Sequence, residues 1–342
     1  MMDLTRLILK YSRWPAEEAE DFHPSMNIGY NLIVKRIHQE ESNDQDSCDL
    51  ECWYYRVGNA YKKLVSQGFM KGLQIIPDHG VFQLEKYACD ALLEKDELYD
   101  MLNSVKEIRY VESVYVGHVY MSSLWLLRFY IVCPPGTIDA RMEEIKGMLG
   151  YDANIEVRKV DPIIKESLPS NYRHLLAAKI KFTDVTGKAL LTHLPNFTEK
   201  MIARYWNRLI EKRAFSVVPM FDTTHLQRQR CIMVYFKGVK DYAILDYNFK
   251  TVCADRIVIS DARDSEQIAY LLFLESEREV EQVHNVVKDE RFASLSTSII
   301  ITDTLSVMDY SRDIDYLGIN APANGEVDLF PEPENNIIER NR

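Results

Sequence analysis

The sequence predicts an α+β fold in which one arrangement of helices and strands occurs twice. Two apolar triplets share the i, i+4, i+7 spacing that places one apolar stripe along a helix: Val57, Tyr61 and Leu64, and then Ile202, Trp206 and Leu209. A segment rich in Val, Ile, Tyr and Phe follows each of these helices, as expected for strands. We therefore predict two tandem copies of a helical unit followed by a strand-rich unit.

Each helical unit has the order of elements found in a winged helix-turn-helix. The amphipathic helix carries basic residues on its polar face, and a short strand follows it, over residues 73–78 in the first copy and 216–222 in the second. That order is typical of modules that place one helix in the DNA major groove. Two such helices in one polypeptide would mimic the arrangement of a two-fold dimer.

Each strand-rich unit predicts a ferredoxin-like sandwich. Residues 83–160 follow the order β-α-β-β-α-β, with a firm turn at Pro134, Pro135 and Gly136. Residues 229–303 repeat that order. In this second copy the first helix is marked only over residues 239–244, and a strand is predicted over 250–260.

These patterns divide the chain into six parts. The predicted parts are an N-terminal arm (1–25), winged helix-turn-helix 1 (26–80), ferredoxin-like domain 1 (81–162), winged helix-turn-helix 2 (168–224), ferredoxin-like domain 2 (225–305) and an acidic, disordered tail (306–342). The polar stretch from Ser42 to Asp49 occupies the place of the first module's scaffold helix and indicates a loop or a single turn.

Composition limits the class of protein. With 46% apolar and 27% charged residues the chain is globular, and no apolar run reaches the roughly 18 residues that a membrane span needs. The N-terminus lacks a secretory signal, so a cytoplasmic location is expected. Six scattered cysteines indicate reduced, mostly buried thiols. The net charge of −11 opposes phosphate binding overall, although both amphipathic helices are locally basic.

The first copy resembles the Lrp/AsnC (feast-famine) transcriptional regulators. The segment from Val57 to Asp78 is similar to that family's recognition helix, turn glycine (Gly68) and wing, and the duplication is similar to the tandem, fused arrangement of archaeal relatives. In the second copy Arg213 stands in place of the turn glycine. The resemblance implies a DNA-binding regulator without catalytic activity, and no catalytic, metal or cofactor signature is found.

The outward residues of the two predicted recognition helices are the candidate DNA contacts. Arginine pairs with guanine, asparagine pairs with adenine, and lysine contacts phosphate. The candidates are Arg56, Asn59, Lys62, Lys63, Lys71, Lys200, Arg204, Asn207, Arg208 and Lys212. The alternative for all of them is the solvated face of an amphipathic helix. His118 and His174 appear as isolated surface or capped histidines.

Two other functions remain open at this stage. One is a non-catalytic interaction or sensing module, favoured by the acidic charge. The other is a sirohaem-decarboxylase-like enzyme, because those enzymes also resemble two fused Lrp-type halves. Their Arg-Arg-Phe-Gly-like wing stretch is replaced here by residues 70–74 and 213–217. Double-stranded DNA is the expected partner, with a small-molecule effector of unknown identity near residues 117–122 and a homodimer formed through the ferredoxin-like domains.

Overall fold

The computed structural model describes residues 4–11, 30–41, 50–149, 154–182, 187–225, 230–253, 256–264 and 267–319. The helices are α1 (Leu4–Tyr11), α2 (Tyr30–Glu41), α3 (Leu50–Ser66), α4 (Lys95–Lys106), α5 (Ile138–Leu149), α6 (Ser170–Lys181), α7 (Gly187–Leu191), α8 (Glu199–Glu211), α9 (Tyr242–Cys253), α10 (Glu277–Val287) and α11 (Glu290–Ala293). The strands are β1 (Met70–Pro77), β2 (Glu85–Leu93), β3 (Val111–Val119), β4 (Trp125–Cys133), β5 (Glu156–Val160), β6 (Phe215–Phe221), β7 (Arg230–Lys237), β8 (Ile257–Asp264), β9 (Gln267–Leu274) and β10 (Ser298–Asp309).

The two strand-rich units form ferredoxin-like sheets that join into one. The eight-stranded sheet has the order β5-β2-β4-β3-β10-β7-β9-β8, in which each half has the strand order of a βαββαβ sandwich. Strand β10 belongs to both halves, because residues 298–302 pair with β7 and residues 302–309 pair with β3. The α+β class and the ferredoxin-like topology are therefore confirmed, and the two units pair within one chain.

In the described part of the helical units, the two predicted wing strands do not form separate wings. Instead of folding into separate ribbons, β1 and β6 pair with each other, antiparallel, from Met70 opposite Phe221 to Pro77 opposite Phe215. One hydrophobic core then extends from helix α3 to helix α8 through this two-stranded sheet. The tandem winged helix-turn-helix arrangement is thus not confirmed. The polar stretch 42–49 and the acidic linker near residues 17–21 lie outside the described residues.

Two boundaries differ from the sequence prediction for physical reasons. Helix α9 extends to Cys253 where a strand was predicted, because Leu245, Phe249 and Cys253 form a buried stripe with helical spacing against the second sheet. The predicted acidic tail is structured as far as residue 319, because Ile314 and Tyr316 are buried in the core shared by the helical units. Residues 320–342 lie outside the described part.

Cysteine chemistry also differs in part. Cys89, Cys133, Cys231 and Cys253 are free and buried, as expected. Burial raises the pKa of the Cys253 thiol to about 11, which keeps it protonated and unreactive near neutral pH. Cys52 of α3 is disulfide-bonded, which corrects the expectation that all thiols are reduced.

Both long amphipathic helices end in the same left-handed turn. Gly68 has φ +78° after α3, and Arg213 has φ +57° after α8. In each case the next residue donates a backbone hydrogen bond back into the helix, from Phe69 to Leu64 and from Ala214 to Leu209. Because a left-handed backbone is strained for any residue with a Cβ, Arg213 carries a strain that Gly68 does not.

Replacing Arg213 with glycine should stabilise the chain. We expect Arg213→Gly to raise the free energy of unfolding by about 0.5–1 kcal/mol, since glycine adopts the left-handed conformation without strain. Arg213→Ala is the matched control, because it removes the same side chain and keeps the strain. Urea denaturation of both variants measures the difference. An equal effect of the two substitutions would show that the side chain, and not the backbone, is responsible.

Candidate functional site

A cavity of about 680 Å³ lies between the second helical unit and the segment that follows β10. We call residues 310–319 the C-terminal segment and this space the helix–segment cavity. Its walls come from α6, from the turn after α7 and from residues 311–317. Its volume lies within the range of about 300–1,000 Å³ that is usual for small-molecule sites. These walls are far apart in sequence, so sequence patterns gave no sign of the cavity.

His174 is one of two imidazoles in the lining. It lies on α6, half-buried, and its Nδ1 atom is 2.8 Å from the carbonyl oxygen of Ser170. Since a carbonyl oxygen only accepts, Nδ1 carries the proton and Nε2 of a neutral ring carries the lone pair. The sequence interpretation of His174 as a capped histidine agrees with this bond. Its interpretation as isolated does not, because His174 faces a shared cavity.

The second imidazole belongs to a flat aromatic pair. The rings of His193 and Phe182 stack with centroids 3.7 Å apart and an interplanar angle of 15°. His193 is held in the turn after α7, where its backbone N–H donates to Leu190. The pair therefore presents a flat aromatic surface together with the two imidazole nitrogens of His193.

The charged groups of the lining are balanced. Lys181 and Arg312 are basic, and Asp313 and Asp315 are acidic. The formal charges of these four side chains therefore cancel.

A buried polar network fixes the C-terminal segment behind the cavity. The Tyr316 hydroxyl donates to Glu112 Oε1 at 2.9 Å, and Lys86 forms an ion pair with Glu112 Oε2. The Tyr316 ring also stacks on Phe82, with centroids 4.9 Å apart. Burial, together with the charge of Glu112, raises the pKa of the Tyr316 phenol well above its usual range. Tyr316 therefore stays a donor, and the segment is anchored to β2 and β3.

Asp309 is a pH-sensitive group that lies directly before the C-terminal segment. Burial raises its pKa to about 6, with the charge of Glu112 adding to the rise, while hydrogen bonds from Ser311 partly offset it. Because the folded-state pKa is raised, the ionised carboxylate destabilises the folded chain above pH 6. That penalty disappears below about pH 4, where the Asp309 carboxyl group is protonated in both the folded and the unfolded chain.

Asp309→Asn should therefore stabilise the chain at neutral pH and not in acid. An amide keeps the acceptor oxygen for Ser311 and removes the buried charge. We expect a gain of about 1–3 kcal/mol at pH 7.5, falling to near zero by pH 4. Urea denaturation across this pH range measures it, with the exposed Asp313→Asn as control. A gain in the free energy of unfolding that is the same at every pH would contradict the raised pKa assigned to Asp309.

A second polar cluster joins the two ferredoxin-like halves. Asp90 of β2 forms ion pairs with Arg128 (2.6 Å), Arg158 (3.1 Å) and Lys237 of the other half (3.2 Å), and both arginines also donate to Gln267. Burial opposes ionisation of Asp90, but the hydrogen bond and charge of Arg128, with the charges of Lys237 and Arg158, lower its pKa to about 2. Asp90 thus stays charged and holds the facing strands together.

A smaller cavity of about 400 Å³ lies at the junction of the halves. Val119 and Tyr120 form one wall, within the stretch where an effector was expected, and His284 of α10 forms another. The rings of Tyr120 and His284 meet edge-on, with centroids 5.3 Å apart. Burial lowers the pKa of His284, so its ring is neutral near pH 7. A small-molecule effector at this place stays a prediction.

His118 is not isolated in the structure. Its Nδ1 atom lies 3.0 Å from Asp303 Oδ1, and its ring packs edge-on against Trp125. A register shift in the pairing of β10 with β3 occurs at Asp303, and such a bulge re-aims a side chain. The sequence could not show this pair, because it depends on the pairing of two distant strands.

The predicted DNA-contact residues lie on α3, α8 and their flanks, and most of them are exposed. Arg56 lies over the Trp53 ring, and three others form ion pairs within the chain: Lys71 with Asp222, Arg208 with Glu211, and Lys212 with Glu166. Asn59, Lys62, Lys63, Lys200, Arg204 and Asn207 are exposed. None of the ten lines the helix–segment cavity. No observation tests the DNA-contact role that the sequence predicted for these ten side chains.

Two absences within the described part of the chain limit the chemistry. No group of three or more His, Cys, Asp or Glu side chains there could hold a metal ion. Among the same residues, no helix has the length and apolar character needed to cross a membrane.

Comparison with solved structures shows which fold the chain shares. It is similar to the siroheme decarboxylase NirDL in complex with an iron-uroporphyrin III analogue, with a TM-score of 0.50 and 11% identity over 92% of this chain and 96% of that one. A second structure of NirDL has a TM-score of 0.46 and 10% identity, over 89% of this chain and 91% of that one. An anthrone oxidase-like protein has a TM-score of 0.34 and 9% identity, over 69% of this chain and 96% of that one. No protein-family model matches the chain, and no curated protein matches its sequence.

These findings correct the principal interpretation of the sequence. The assignment to the Lrp/AsnC transcriptional regulators was wrong, and so were the transcription-regulation and DNA-binding function attached to it, because the fold shared over almost the whole chain is that of a decarboxylase. The expectation of a protein without catalytic activity is corrected by the same finding. DNA as a partner has no support.

Proposed function

We propose that the chain is an enzyme that decarboxylates an anionic tetrapyrrole bound in the helix–segment cavity. The single observation that carries this proposal is the cavity itself, in a chain whose fold is similar to that of a siroheme decarboxylase over 92% of its length. The stacked pair of Phe182 and His193 suits one face of a planar macrocycle. Lys181 and Arg312 suit its carboxylates.

The reaction needs little from the protein beyond positioning and a proton. When a CH2–COO⁻ side chain loses CO2, the carbon–carbon bond breaks and its electron pair stays on the CH2 carbon. That carbon then takes up one proton and becomes a methyl group, so no external oxidant or reductant is consumed. An imidazole is suited to deliver the proton near neutral pH, and His193 and His174 are the two in the lining.

The two imidazoles have different roles in this proposal. The Nδ1–H of His174 donates to the carbonyl oxygen of Ser170, which fixes the ring at the cavity wall and occupies that proton. His193 has a ring face covered by Phe182, which orients the ring without using its nitrogen atoms. We therefore assign proton donation to His193.

The proposal is tested by incubating the purified chain, without oxygen, with siroheme and with iron uroporphyrin III. Binding is followed by the change in the tetrapyrrole absorption spectrum, and turnover by mass spectrometry of the pigment. We expect saturable binding and successive losses of CO2. A folded protein that leaves both spectra unchanged would overturn the proposal, and binding without loss of CO2 would restrict it to a tetrapyrrole carrier.

A further inference from the structure

We propose that two copies of the chain form a dimer by packing the outward sides of helix α9 against each other, antiparallel. The outward residues have i, i+1, i+4 and i+8 spacing, which places them on one side of a helix. They are Ala243, Ile244, Tyr247 and Thr251, and we call them the α9 stripe. The stripe lies outside the helix–segment cavity, so this inference does not depend on the proposed function.

The α9 stripe is exposed, and none of its residues is charged. Tyr247 is 72% exposed and Ile244 is 50% exposed, whereas Leu245 and Phe249 bury the opposite side of the helix against the second sheet. A surface helix of a monomeric protein usually presents charged and polar residues on its outward side, and a helix that is apolar all round is usually buried. This side of α9 is therefore better suited to another protein surface than to water.

The duplicated fold supplies an internal comparison for α9. Helix α4 is its equivalent in the first half, because each of the two follows the first strand of a βαββαβ unit. Exposed charged residues lie on α4 and on the other two long helices that cover the sheet: Asp96 and Asp100 on α4, Glu143 and Glu144 on α5, and Arg278 and Glu281 on α10. The fold itself therefore does not require an uncharged outward side at α9.

The polar groups of the stripe do not oppose its burial. The Thr251 hydroxyl donates to the backbone carbonyl of Tyr247 at 2.7 Å, so it keeps its hydrogen bond when the surface is covered. Tyrosine is enriched in protein interfaces, because its ring is apolar and its hydroxyl group can reach a polar partner or water at the rim.

Charge complementarity favours a second copy of the chain as the partner. Asp246 and Lys250 lie on the same flank of the stripe and pair at 2.8 Å, and the Lys250 side chain is 48% exposed. A two-fold axis beside Tyr247 makes the two helices antiparallel and exchanges the two ends of that flank. Asp246 of each copy then faces Lys250 of the other, while Ile244 lies opposite Thr251. The stripe and its flank are thus complementary to themselves.

The first test measures the mass of the purified chain by sedimentation velocity at increasing concentration. A single pair of helices buries little area, so we expect a weak dimer with a Kd of about 10–100 µM. Tyr247→Lys should raise this Kd by about tenfold or more, because it places two like charges beside the two-fold axis. Tyr99→Lys is the matched control, since Tyr99 is a tyrosine of α4 that is 54% exposed. Its Kd should stay within about twofold of the wild type.

The second test locates the contact by disulfide cross-linking. Tyr247→Cys should give a disulfide-linked dimer under mild oxidation, because residue 247 meets its own copy at the axis. Tyr99→Cys should stay monomeric under the same conditions. The wild-type chain is the blank, in which Cys89, Cys133, Cys231 and Cys253 are buried.

The outcomes decide the proposal when circular dichroism shows that each variant is folded. A wild-type chain that stays monomeric up to about 200 µM would overturn it. A dimer that Tyr247→Lys leaves unchanged, or that weakens equally with Tyr99→Lys, would also overturn it, because the interface would then lie elsewhere. A dimer that Tyr247→Lys weakens, in a chain whose Tyr247→Cys variant does not cross-link, would reject the antiparallel pairing of α9 with itself.

Discussion

Asp90→Ala should lower the free energy of unfolding by about 3–5 kcal/mol. Asp90 is 3% exposed and is the common partner of Arg128, Arg158 and Lys237. Its removal leaves the buried Arg128 without a carboxylate, and it leaves Arg158 and Lys237 with only the half-exposed Glu156. Because Lys237 lies on β7 and the two arginines lie on β4 and β5, the loss acts directly on the contact between the halves. Urea denaturation followed by circular dichroism measures it.

Glu156 is the matched control for Asp90. It pairs with Lys237 and Arg158 as well, but its side chain is 52% exposed. Exposed ion pairs contribute little, so Glu156→Ala should cost less than about 1 kcal/mol. The double substitution Asp90→Leu with Arg128→Met should recover part of the loss, because an apolar pair replaces the broken ion pair. Equal losses for Asp90→Ala and Glu156→Ala would show that burial does not decide the effect.

The same cluster predicts how the chain responds to acid. Because the folded-state pKa of Asp90 is lowered to about 2, its contribution to stability is present above about pH 4 and is lost as the pH falls through 2. Asp309 acts in the opposite direction, since its raised pKa gives a penalty that acid removes. The difference between wild type and Asp90→Ala should therefore shrink below pH 4.

His193→Phe should lower kcat for decarboxylation by about 100-fold or more, if the proposed function holds. Phenylalanine keeps a flat ring that can stack on Phe182, and it removes the only groups of residue 193 that can donate a side-chain proton. Binding of iron uroporphyrin III should therefore change by less than about threefold. Single-turnover assays separate this loss of rate from a loss of affinity.

The control for His193 is His225→Phe. His225 is a histidine outside the helix–segment cavity, and its side chain is 49% exposed. The His225→Phe variant should retain wild-type turnover. If His193→Phe retains turnover and His174→Gln loses it, the proton donor is His174, and our assignment of the two imidazoles is reversed. If both retain it, neither imidazole supplies the proton.

Local patterns in the sequence determined most of the elements. The i, i+4, i+7 triplets identified the helices that became α3 and α8, and enrichment in Val, Tyr and Phe identified β3 and β4. These features depend on residues that are neighbours in the chain. The error at α9 has the same origin, since the β-branched Thr251 and Val252 favour a strand locally, whereas the packing of a helix on the second sheet prevails.

The pairing of strands that are far apart in the sequence decided how these elements assemble. The antiparallel pairing of β1 with β6 removed the wings on which the DNA-binding interpretation depended, and nothing in either strand specified its partner. The pairing of β10 with β3 carried the chain beyond residue 305 and delivered Arg312 to Gln74. One local sign was present in the sequence, because Ile314 and Tyr316 alternate with Asp313 and Asp315.

The sequence by itself therefore determined the α+β class, the duplication and the ferredoxin-like order of elements. Only the tertiary structure decided the joined sheet, the Asp90 cluster and the helix–segment cavity. The physical reason is that periodicity and propensity are set by neighbours in the chain, whereas a site is set by which surfaces bury each other. His174, His193 and Arg312 line one cavity because a buried network holds the C-terminal segment against α6.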